Sequence, residues 1–415
     1  MNADRTFSAG RPLGRVVSVH ALGWLVACNL VGVWLATILL WPSLGDRIAP
    51  LSYGRWMPVH LDGQLYGWCA LPLVGALLAW CLDPVDPRGI VPARLVLAAL
   101  STALTLGVVS WLSGLSSGKL FLDWAGWTRP LLPLAMVMLW AVLAWQVVAR
   151  WRRGQRMGVQ AAALVLLAAV PPVLWWSMGP ATYPAINPDS GGATGASLLG
   201  STLGIIAIFG AVPRMIGLDR RPGAGGSRVF WSCFAVSAVV YAVIGHGDES
   251  HHAAAQILGL GVLLAWIPLL VVEWRASAWP WSARRWLRAA EVWWAGLVIS
   301  GWVSFLPGVS ERWKFSNALV GHAHLAMAGF VTSANGALLA ALGGRGCPGW
   351  AFWTWQLGCG AMVVLLIGLG SIEAGRIGDL FLSAPWVQVI YAGRLAAGAA
   401  MTVASLAWWR EASRP

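Results

Sequence analysis

Seven histidines are the residues of this chain best suited to metal or heme chemistry: His20, His60, His246, His251, His252, His322 and His324. Six of them fall near the ends of apolar runs that share one side of a membrane, and His20 alone lies toward the other. Ionisable side chains in apolar spans are costly and are kept mostly where they work. In GHAHLAMAGF, His322 and His324 stand two residues apart, so on a helix they point about 200° from each other. That spacing does not grip one metal ion, but it suits two cofactors on opposite sides of one helix. Heme fits such a site, being planar and apolar and taking axial imidazole. A six-coordinate heme needs a partner at matching depth, and His60 in VHLDGQLYGW has it. Gln64, one turn beyond His60, is placed to orient that ring by a hydrogen bond, whereas Asp62 lies about 200° away. The plainer reading of the six is interfacial histidines wetted by headgroups.

The composition says what must hold these residues. The chain has 415 residues, of which 58% are hydrophobic and only 11% charged. That is about 240 apolar positions, the demand of roughly twelve spans at ~20 residues each. A soluble domain carries about a quarter charged residues, so a soluble enzyme is excluded, as is a disordered chain. The net charge of +12 is scattered through short loops, not gathered in a patch for nucleic acid. Cys28, Cys69, Cys81, Cys233, Cys347 and Cys359 show neither CxxC nor CxxCH spacing, against a thiolate metal site or covalent heme.

The expected fold is all-α: one polytopic transmembrane domain over 1–415, a bundle of twelve helices. Spans are expected near 17–42, 57–82, 89–112, 127–149, 158–178, 194–217, 228–246, 252–274, 288–308, 318–343, 350–370 and 386–409. On this division His246 closes the seventh span, and His251 with His252 opens the eighth. Twenty of the 28 Lys and Arg residues fall at the termini and after even-numbered spans. The positive-inside rule therefore expects both termini in the cytoplasm and the histidine cluster at the outer face. Most of the thirty tryptophans read as an interfacial belt.

These residues, in this order, resemble the catalytic subunit I of heme-copper oxidases, closest to the C-type (cbb-type) oxidases and their nitric-oxide-reductase relatives. The resemblance rests on His60 in span two, the H-x-H of span ten, and the twelve-span order. It implies that His60 and His324 ligate a low-spin heme b and that His322 is the proximal ligand of a high-spin heme. Arg394, in IYAGRLAAG, resembles an arginine near heme propionates, with Arg376 a weaker candidate. An interfacial arginine is an equal reading of Arg394. The implied setting is a bacterial inner (plasma) membrane and a respiratory electron-transport chain ending in dioxygen or nitric oxide. A separate donor subunit or cytochrome c would supply the electrons.

The copper site departs from the family. Gly192 stands where the span-six histidine would fall, and YAVIGHGDESHH places Tyr241 and His246 in the tyrosine-to-histidine stretch. The pair His251 and His252 comes four residues late, so a copper held by His246, His251 and His252 is doubtful. Tyr241 reads equally as a distal-pocket phenol or an interface tyrosine. Two other classes stay open: a secondary transporter or channel with outer-face histidines, and a noncatalytic relic subunit of the oxidase fold.

Overall fold

Backbone N–H and C=O groups find no water in lipid, so apolar chain of this length must satisfy them internally, as helix. The computed structural model describes residues 3–83, 89–225, 227–373 and 384–414, and helices dominate them. They run in chain order as α1 Pro12–Leu40, α2 Tyr53–Cys81, α3 Ile90–Ser113, α4 Gly126–Arg152, α5 Gly158–Ser177 and α6 Gly195–Met215. Next come α7 Arg228–Val243, α8 Ala254–Arg275, α9 Trp281–Val303, α10 Asn317–Ala341, α11 Gly349–Glu373 and α12 Pro385–Ser413.

All twelve expected segments are helical. Among the described residues, ten helices are long and apolar enough to cross a membrane. The other two differ for evident reasons. α7 has only 16 residues, and α9 starts seven residues before its expected position and so takes in Arg284 and Arg285. The expected ends at 246 and 252 are corrected. After Val243 the chain turns extended at Ile244 and runs irregularly to Ala253, through Gly245 and Gly247, poor helix formers. His246, His251 and His252 therefore sit in a connection, not on helix ends.

Two helices contain a widened turn. α2 is π-helical over Gly63–Cys69, where Ala70 N–H donates to the Leu65 carbonyl at 2.9 Å. α10 is π-helical over Leu325–Val331. Such turns take in an extra residue, shift the facing of the helix beyond them, and recur at functional sites. The first lies three residues past His60 and the second begins directly after His324.

The chain forms two compact units. The first comprises Met1–Thr182, Leu338–Trp355 and Gly398–Pro415. In it α1 packs along α2 and α3, and Trp409 Nε1 donates to the Val19 carbonyl at 3.1 Å. The Lys119 ammonium is held by the carbonyls of Ser177, Gly179 and Thr182.

The second unit comprises Tyr183–Ala337 and Gln356–Ala397. Here α9 packs on the π segment of α10, and Phe330 from that segment is fully buried among Phe209, Trp274 and Trp294. Ser316 caps α10 through the Ala318 N–H. Asn317 then anchors that end: its backbone N–H and side-chain amide donate to Glu373 at 3.0 and 2.7 Å. Its amide also reaches the Tyr391 hydroxyl at 3.2 Å. The turns carrying His322 and His324 are thus tied to α11 and α12.

Candidate functional site

In the first unit, His60 lies two turns into α2 with its ring against α1. Its Nδ1 is 2.9 Å from the carbonyl oxygen of Cys28. A carbonyl only accepts, so Nδ1 carries the proton and Nε2 carries the lone pair, the form of imidazole that can ligate a metal. The close approach depends on Gly32, where a Cβ would come 2.9 Å from His60 Cε1. Gln64, expected to orient this ring, donates to Asn29 at 3.0 Å, and Asn29 donates to Ser405 at 3.1 Å. Asp62 is fully buried, and among the described residues none stands at full hydrogen-bond geometry to either of its carboxyl oxygens. His20 pairs with Ser101 at 3.0 Å, a structural role.

In the second unit the same chemistry recurs twice. His324 Nδ1 is 2.8 Å from the Val320 carbonyl, one turn back on α10, and donates to it. His322 Nδ1 is 3.0 Å from Ser300 Oγ on α9. The Ser300 hydroxyl gives its proton to the Gly296 carbonyl at 2.7 Å, so toward His322 it accepts. All three imidazoles are therefore held in the tautomer that ligates through Nε2, each by a neighbour that fixes ring orientation. The residues fit axial ligation of heme.

Arg394 sits half-buried on α12, one turn beyond Tyr391. Arg376 lies outside the described residues.

The connections of the second unit collect a different group. His251 is fully buried; its Nδ1 meets the Asn187 side chain at 2.9 Å and its Nε2 meets Glu311 at 2.8 Å. His252 lies against it, ring centroids 4.3 Å apart, and reaches Glu311 at 3.2 Å. Asp189, His251 and His252 have ligating atoms within 4.8 Å of one another. His246 does not enter this group and packs edge-on to Tyr241, centroids 4.8 Å apart. Burial pushes the Glu311 carboxyl up. Its own backbone N–H, the hydrogen bond and charge of His251, and the Gly308 amide outweigh that and hold it below the usual carboxylate range.

At Gly192, a Cβ would meet the Lys314 ammonium at 2.5 Å. A half-buried cation, its pKa lowered by desolvation, thus covers the position where the family resemblance looks for a copper ligand.

Sequence reasoning missed Cys28, Val320 and Ser300 as the partners of the three imidazoles. Two of them act through the main chain, which leaves no signature in residue type. It also missed Lys314 and Glu311, whose roles depend on segments over 50 residues away.

No protein-family model matches this sequence, and no curated protein matches it. Among solved structures, the chain matches one from the study "Cryo-EM structure of a heme-copper terminal oxidase dimer provides insights into its catalytic mechanism". The two are 11% identical; the match covers 97% of this chain and 84% of that one, with a TM-score of 0.59. In fold, this multi-pass membrane protein is similar to a chain of a heme-copper terminal oxidase.

Proposed function

We propose that the chain is a heme-binding respiratory membrane subunit in which His60, His324 and His322 serve as axial ligands of heme iron, His322 of a high-spin heme. The observation that carries this reading is the common state of the three imidazoles. Each directs Nδ1–H to a fixed acceptor and keeps Nε2 basic, an arrangement that raises ligand strength and costs no tautomer change on binding. Heme, when bound, supplies a one-electron redox centre and an iron that takes dioxygen or nitric oxide.

The protein's own part is orientation and charge. Cys28, Val320 and Ser300 hold the rings; Arg394 is the proposed partner of a heme carboxylate. Tyr241 and His246, edge to face, are the proposed proton-exchanging pair. Lys314 over Gly192 argues for a site without copper, so electron carriage or gas binding is favoured over full oxidase chemistry. With no CxxCH in the chain, electrons come from a separate donor subunit or cytochrome c. The proposed location is a bacterial plasma membrane, termini inward and the histidines other than His20 outward.

The test is a reduced-minus-oxidised visible spectrum of the purified protein. Sharp α and β bands are expected, lost in His60→Ala and in His324→Ala. His322→Ala keeps those bands and loses the carbon-monoxide-sensitive component. A colourless wild-type protein overturns the reading.

A further inference from the structure

Four arginines of the second unit converge on one cavity. It measures about 380 Å³ and is lined by Arg221, Arg275, Arg284, Leu287, Arg288 and Glu291. Three chain segments build it. Arg221 comes from the connection after α6, Arg275 is the last residue of α8, and the other four lie on α9. Positions 284, 287, 288 and 291 have the spacing of a single helix face.

The cavity is pinned rather than casual. Arg221 N–H donates to the Ala276 carbonyl and Ala278 N–H to the Asp219 carbonyl, both at 2.8 Å. These bonds tie the α6–α7 connection to the α8–α9 connection around Arg220 and Ser277.

The charges do not balance. Glu291 is buried and is taken by the fork of Arg275, Nε at 2.9 Å and Nη2 on the second oxygen. The nearby Glu273 is taken by Arg220 at 2.8 Å and by Ser227 at 2.6 Å. Among the lining residues this leaves four guanidiniums against one carboxylate, an excess of three positive charges. Two of them, Arg284 and Arg288, are like charges four apart, which destabilise a helix. Arg284 also lies in the first turn of α9, where the helix dipole disfavours cations. An anion seated among them relieves both penalties.

We propose that this cavity binds a phosphate group. Guanidinium forks match phosphate oxygens in pairs. The cavity lies where α8 ends and α9 begins, the depth at which a spanning helix meets lipid headgroups. Leu287 and the Trp281 ring, 5.4 Å beneath the Arg284 guanidinium, add the apolar edge that a glycerolipid needs. The same chemistry serves a free pyrophosphate.

The full chain, delipidated in detergent, is placed in nanodiscs of phosphatidylcholine with or without phosphatidylglycerol, and bound lipid is counted by native mass spectrometry. In parallel, inorganic pyrophosphate is titrated at low and high salt. The wild type is expected to retain phosphatidylglycerol, and Arg284→Gln/Arg288→Gln to retain it roughly twentyfold less tightly. Arg152→Gln, at the C-terminal end of α4 in the other unit, changes nothing. In phosphatidylcholine alone the double variant unfolds at a higher temperature than the wild type, which separates lost binding from lost folding. Binding of pyrophosphate with no preference for phosphatidylglycerol assigns the site to a soluble phosphate and upholds the chemistry. Equal retention by wild type and double variant, or binding of neither probe, overturns the proposal.

Discussion

The imidazole of His60 gives its Nδ1 proton to the main-chain carbonyl of Cys28, 2.9 Å away on the neighbouring helix. That bond needs α1 and α2 to lie close, and Gly32 supplies the gap. A methyl at Gly32 would stand 2.9 Å from His60 Cε1, so the ring must move and the bond to Cys28 must lengthen. Gly32→Ala is therefore expected to lower heme content and broaden the α band, with helical circular dichroism unchanged. Gly54→Ala, where a Cβ meets nothing within 4 Å, serves as the silent control.

Glu311 links His251 and His252, and its carboxyl is held below the usual carboxylate range. A depressed carboxylate contributes stability above its unfolded pKa of about 4.3 and loses it as pH falls through the folded value. The thermal midpoint of the wild type is thus expected to drop on acidification below about pH 5. Glu311→Gln starts lower at neutral pH and drops less in that window. With its side chain 37% exposed, solvent screening keeps the difference small. Parallel pH profiles for the two proteins would contradict this account.

Phe330 sits in the π segment after His324 and fills the space between Phe209, Trp274 and Trp294. Its removal leaves a cavity within a packed aromatic cluster. Phe330→Ala is expected to destabilise by about 3–5 kcal/mol, read from chemical denaturation in detergent. Because the same segment sets the facing of α10, heme retention should fall with it.

Lys314 covers Gly192, so restoring a histidine there alone should not create a copper site. Gly192→His is expected to bind no copper, since the Lys314 ammonium beside it repels a second cation. In Gly192→His/Lys314→Ala the cation is gone and copper affinity should appear, measured by metal analysis after dialysis. Copper in the single variant would count against the role given to Lys314.

Much of this architecture could be read directly from residue order. Apolar runs of span length leave a chain in lipid no alternative to helix, so all twelve segments were legible, and arginine placement alone suggests which ends share a side. The boundaries around His246 and His251 were less so. The apolar run plainly breaks between Gly245 and His252, but only the local backbone shows that the helices stop at Val243 and resume at Ala254.

The candidate ligands were legible too, since residue type and spacing mark His60, His322 and His324. Their state was not. Which nitrogen holds the proton depends on Cys28, Val320 and Ser300, and two of these act through carbonyls that every residue possesses. Likewise the π turns at Gly63–Cys69 and Leu325–Val331 have no compositional mark. Sequence by itself determined that this protein is helical, rich in membrane-length apolar spans and equipped with imidazoles near the borders of those apolar runs, because hydrophobicity and side-chain chemistry are local properties. Only tertiary structure decided which tautomer each imidazole keeps, that Lys314 covers Gly192, and that four arginines face one cavity. Those outcomes depend on short-range contacts between segments far apart in the chain, and such contacts exist only once the helices have packed.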